Sequence, residues 1–124
     1  KVDSSSTTMT GVWERVVPVG TIVAPGTAHT GSMCWVTENG DPFDDVFVAD
    51  VDDGTTTLTT SAFDATAGGS VTFPIVSYYR WYSNNGGDAP DEDFCQVDIS
   101  NDGGSHWTVP WPVSSTCAPV APSA

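Results

Sequence analysis

Carboxylates are the residues whose type and spacing point most directly to chemistry. Asp41, Asp44 and Asp45 precede an apolar run, and Asp50, Asp52 and Asp53 close it, so two acidic clusters flank one short segment. Calcium takes about six to eight oxygens from loops and strand ends, and carboxylates grouped at turns supply them. Asp44, Asp45, Asp50, Asp52 and Asp53 are the expected ligands of a bound Ca2+, with Asp41 beside them. The run Asp50-Val51-Asp52-Asp53-Gly54 is not an EF-hand: Gly54 stands where a ligand is needed, and no Glu closes the loop. Asn84 to Asp93 is a second acidic stretch that offers a further site. The plain alternative for both is a solvated acidic surface.

Catalysis has little to build on. The two histidines, His29 and His106, sit in no nucleophile elbow and in no His-x-x-x-His zinc pattern. Carboxylate pairs for glycoside hydrolysis exist by count, but they fall in turn-like clusters, and a small β domain offers little cleft. The expectation is that the chain is not an enzyme. Cys34, Cys95 and Cys117 are an odd set with no metal spacing. One disulfide plus one unpaired thiol is one arrangement, with Cys117 reaching back to Cys95; buried thiols at Cys34 and Cys95 are the other.

Aromatic residues are the third resource. Val71 to Ser83 carries the densest aromatic and β-branched run in the chain, with Arg80 between Tyr78 and Tyr82. At a period of two, Ile75, Ser77, Tyr79, Trp81 and Ser83 share one face, and Val76, Tyr78, Arg80 and Tyr82 share the other. The run reads as a central strand with Tyr79 and Trp81 in the core. Trp13 and Trp35 read as core as well. Tyr78, Arg80 and Tyr82 form either a guanidinium held between two rings and anchored to a carboxylate, or a platform for a sugar.

These groups are carried by 124 residues with 3 Lys+Arg against 16 Asp+Glu, a formal net charge of -13. Such a charge repels nucleic acid and anionic membranes and favours divalent cations. A charged fraction of only 15%, with 12 Gly, 9 Pro and abundant Ser and Thr, fits a secreted β protein rich in turns. Neither a membrane-length apolar run nor a signal-peptide core follows Lys1, so the chain reads as a mature extracellular product.

Residues 1–10 form a polar arm, either a linker or a pairing segment. Strands are expected over Gly11 to Val17, ended by Pro18, over Ser32 to Thr37, over 46–51, over Thr55 to Ser61, over the aromatic run, over Phe94 to Ser100, and over Trp107 to Trp111. Asn39-Gly40 and Asp53-Gly54 read as turns. His29 lies in a Gly/Thr loop and reads as a surface residue. Residues 112–124 are a Pro/Ser/Ala tail. Short strands punctuated by Gly and Pro, with no helical period, mean an all-β sandwich or barrel, and about seven strands make one antiparallel sandwich over 11–111.

Ser100-Asn101-Asp102-Gly103-Gly104-Ser105-His106-Trp107 resembles an Asp box, the hairpin turn of sialidases and other secreted β proteins. That resemblance implies that Asp102 caps the turn and Trp107 packs beneath it, with His106 in place of the usual Thr. One copy and two arginines exclude a sialidase.

A longer series carries a family resemblance: Thr10-Gly11-Val12-Trp13-Glu14-Arg15-Val16, Pro18-Val19-Gly20-Thr21, Cys34-Trp35-Val36-Thr37, Asp50 to Thr59, Ser77 to Asn84, and Val97 to Trp107. In this order they resemble a MAM-like jelly-roll module, a type appended to secreted bacterial peptidases and other extracellular proteins. The resemblance spans roughly residues 10–108. It implies an extracellular, non-catalytic jelly-roll sandwich, often with calcium. The family's first strand, and the strands after its Asp-Gly-Gly…Trp hairpin, have no counterpart here. Gly26-Thr27-Ala28-His29-Thr30 also lacks acids often found there. Open edges are therefore expected, to be filled by the chain's own arms, a partner or a neighbouring copy. The expected role is a structural or adhesive module that assembles by strand complementation into an oligomer or filament. Alternatives are a carbohydrate-binding module using Tyr78, Arg80 and Tyr82, or an accessory domain of a secreted peptidase.

Overall fold

A computed structural model of the chain describes residues 6–43, 49–65, 75–86 and 90–109. Asp44, Asp45 and Cys117, the greater part of the strand expected over 46–51, and the 112–124 tail lie outside them.

Among the described residues there is no helix, and the regular structure is one antiparallel pair: β1, Trp13–Val16, and β2, Cys34–Thr37. The order of aromatic and β-branched residues in both segments suits a pleated, half-buried ribbon. Trp13 faces Thr37, Glu14 faces Val36, Arg15 faces Trp35 and Val16 faces Cys34. The Glu38 N–H extends the ladder to the Val12 carbonyl at 3.1 Å. Pro18, which has no N–H to offer a ladder, follows close behind β1 and is buried.

Asn39 was expected in a hairpin turn and instead clamps β1. Its side-chain carbonyl accepts the Val19 N–H at 2.8 Å, and its amide donates to the Val17 carbonyl at 3.1 Å. Glu38 holds the other end, its carboxylate taking the Gly11 N–H at 2.7 Å. The β1–β2 loop closes on itself between Gly20 and Gly26, where a Cβ on Gly26 would stand 2.8 Å from the Gly20 nitrogen. Within that neck, Thr21 Oγ1 accepts the N–H groups of Val23 and Ala24. A hydroxyl in this position replaces a backbone partner in a tight turn.

The all-β reading holds at this level. The strands expected over Thr55 to Ser61, over the described part of the aromatic run and over Phe94 to Ser100 do not form regular ladders; Ile99 and Thr108 make an isolated antiparallel bridge. A strand needs a partner in register, and among the described residues 75–83 meets the β1–β2 loop through its own side chains, Tyr79 and Trp81.

The phase of the aromatic run is also reversed. Arg80, Tyr82 and Asn84 are half-buried, whereas Tyr79 is 76% exposed and Trp81 40%. Tyr79 and Trp81 are therefore not core residues. Trp35, at 36% exposure, is not one either, while Trp13 is half-buried. Only Gly11 and Pro18 are buried among the described residues.

Candidate functional site

Three sites carry the described chemistry: a groove filled by the N-terminal arm, a cavity beside Trp81, and the Asp102 turn.

The groove runs along Asp50 to Thr57. Ser6 to Thr10 lies antiparallel against it. The Thr10 hydroxyl donates to the Asp50 carbonyl at 2.7 Å and the Thr8 hydroxyl to the Asp52 carbonyl at 2.9 Å. The Thr7 N–H then donates to the Thr55 carbonyl at 2.8 Å, and the Thr55 N–H returns to Thr7 Oγ1 at 3.2 Å. Ser6 Oγ lies 3.1 Å from Thr56 Oγ1 and accepts the Thr57 N–H. The register slips at Asp53-Gly54, with Asp53 in the left-handed region at φ 55° and the Gly54 backbone packed against Thr7 and Thr8. Short hydroxyl side chains thus take over bonds that a β ladder would make with backbone groups.

This arrangement locates the expected calcium ligands that are described. Asp50 is half-buried, and its carboxylate accepts the Val51 N–H at 3.0 Å. Asp52 and Asp53 are exposed. Among the described residues, no three His, Cys, Asp or Glu side chains converge on a metal-sized site.

The second site was not anticipated. Tyr79 and Trp81 both meet the β1–β2 loop. The His29 and Tyr79 rings stack with centroids 3.4 Å apart and planes 11° from parallel. Trp81 Nε1 donates to the Val23 carbonyl at 3.1 Å. Between Trp81 and the turn Thr21 to Pro25 lies an open cavity of about 250 Å3, walled mainly by apolar atoms. His29 remains exposed, as expected, but it has a partner. The signal in the sequence was the i, i+2 spacing of Tyr79 and Trp81; what it lacked was the identity of the loop that meets them.

Of the expected sugar platform, Tyr78 is 51% exposed, and Arg80 and Tyr82 are half-buried. The Tyr82 hydroxyl oxygen is buried. Cys34 is a half-buried free thiol, and Cys95 is half-buried.

The third site has the bonding of an Asp box. Asp102 Oδ1 accepts the His106 N–H at 2.9 Å and the Ser100 hydroxyl at 2.8 Å, while Oδ2 lies 2.6 Å from His106 Nδ1. Ser100 Oγ accepts the Gly104 N–H at 2.8 Å. Ile99 and Thr108 close the hairpin with two backbone bonds, at 2.9 and 3.0 Å. The Trp107 ring faces Gly104. The His106 backbone N–H chiefly, then the His106 ring and the Ser100 hydroxyl, lower the Asp102 pKa from 3.8 to about 2. Both carboxylate oxygens are spent on the turn. His106, in the place of the usual Thr, adds its ring to the cap.

No protein-family model matches the chain, and comparison with curated proteins and with solved structures gives no match.

Proposed function

We propose that the chain is a non-catalytic extracellular module of jelly-roll type, structural or adhesive in role, which completes its sheet edges by assembling with further copies. The observation that carries this reading is apolar surface left uncovered: Phe43 is 95% exposed, Ile75 90% and Phe94 77%. Side chains this exposed are open to a partner, and where such side chains gather into one patch they mark the surface that meets it. The MAM-like order of motifs supports the jelly-roll type and the extracellular setting. A structural role is supported by the close imidazole–carboxylate pair, Asp102 and His106, whose polar atoms serve a turn. Calcium bound by Asp44, Asp45, Asp50, Asp52 and Asp53 would offset part of the -13 charge that opposes both folding and association. Analytical ultracentrifugation with and without calcium tests the reading. Oligomers that grow with concentration support it, and a monomer throughout overturns it.

A second reading, carbohydrate binding, is favoured by the cavity beside the half-exposed Trp81 indole. It moves the platform from Tyr78, Arg80 and Tyr82 to Trp81. A glycan array with Trp81→Ala tests it, and binding that survives the substitution removes this site.

A further inference from the structure

We propose that the groove along Asp50 to Thr57 accepts the Ser6 to Thr10 arm of a second copy of this chain in exchange for its own. The inference rests on the assembly reading and names the surface used.

The groove already has an occupant whose chemistry fits it. Every bond the arm makes within one chain is available, unchanged, to the same arm from a neighbour. Such exchange of identical elements is a low-cost route to oligomers. The arm is tied by hydroxyl and amide bonds, and its one large apolar side chain, Met9, is 81% exposed. Release therefore uncovers little apolar surface, and segments held this way open first.

The arm and the Asp50 to Thr57 segment approach most closely at Gly54. A Cβ on Gly54 would stand 2.7 Å from the Thr7 carbonyl carbon, so the two backbones touch. The short Ser and Thr side chains of the arm suit this approach. Gly11 joins the arm to β1 at φ 72°, a backbone state open to glycine, and packs against Asp50 and Val51.

The experiment uses full-length chains. Ser6→Cys and Thr56→Cys variants, each also carrying Cys34→Ser, Cys95→Ser and Cys117→Ser, receive different tags and are mixed under oxidised glutathione. Ser6 Oγ and Thr56 Oγ1 lie 3.1 Å apart, so arm exchange brings the two thiols into bonding range. The expected result is a mixed-tag disulfide dimer at about tenfold the yield from Ser6→Cys mixed with Ser105→Cys, because exchange raises the local thiol concentration. A yield no higher than that control overturns the proposal.

The natural chain gives a second readout, independent of variant folding. In a mixture of 15N-labelled and 13C-labelled copies, isotope-filtered NMR should detect Thr7-to-Thr55 contacts between copies. Contacts confined to single copies overturn arm exchange. Oligomers that form without contacts between copies at this groove keep the assembly reading while overturning the exchange. A monomer at every concentration overturns both.

Discussion

His29 and Tyr79 lie face to face, their ring centroids 3.4 Å apart, and join the β1–β2 loop to the aromatic run. They are 50 positions apart in the chain. Each ring covers apolar area of the other that neither segment buries alone. Aromatic pairs contribute about 0.5–1.5 kcal/mol beyond area. His29→Ala and Tyr79→Ala should each destabilise by about that amount, and the double variant should cost less than the two added together. Urea unfolding of the four proteins measures the coupling; additive effects would mean the rings do not support each other.

The loop neck makes a sharper demand. A methyl on Gly26 meets the Gly20 backbone at 2.8–2.9 Å, and backbone cannot rotate aside as a side chain does. Gly26→Ala should destabilise by about 1–3 kcal/mol, the usual cost of forcing atoms into filled space. The same variant should shift Trp81 fluorescence, because the loop carries the Val23 carbonyl that accepts the indole N–H. An unchanged spectrum and unchanged unfolding midpoint would contradict the neck.

The Asp102 turn predicts acid sensitivity of a defined sign. Its carboxylate titrates at about 2 in the folded hairpin against 3.8 for the ordinary group. A depressed folded value means the stabilisation is fully present above the ordinary pKa. It is lost as pH falls from there through about 2. Amide shifts of Gly104 and His106, followed by NMR between neutral pH and pH 2, should move together in that window. Asp102→Asn should abolish the low-pH transition, and retention of the transition would assign it to another acid.

Calcium should act on the acidic segment before the rest of the fold. If Asp44, Asp45, Asp50, Asp52 and Asp53 hold Ca2+, titration by calorimetry gives a saturable heat and chelator lowers the melting temperature. Asp52→Asn with Asp53→Asn should weaken binding by about tenfold or more, since calcium affinity follows ligand charge. No heat and an unchanged melting temperature would leave these residues as solvated surface.

Much of the local structure was legible in the chain itself. Trp13 to Val16 and Cys34 to Thr37 carry the β-branched and aromatic residues that suit a strand, and each has the other as a partner in register. The Asp102 hairpin was equally readable, since its bonds all run between residues at most nine apart. The calcium set, by contrast, was a matter of composition, and clustering in sequence does not establish convergence in space.

The chain alone determined the all-β character, the period of two through the aromatic run, the Asp102 turn and the polar nature of the arm. Each is a local property, set by side-chain shape, hydrogen-bonding type and spacing. Only the tertiary structure decided which face of that run turns inward. Both faces carry aromatic residues, so the pattern is symmetric, and Arg80 and Tyr82 became the half-buried pair through their surroundings. The arm followed the same rule. Ser and Thr at 6–10 advertise hydrogen-bonding capacity to any extended partner, and docking against Asp50 to Thr57 chose one. Long-range pairing depends on which segments the folded chain brings together, and no short-range pattern encodes that.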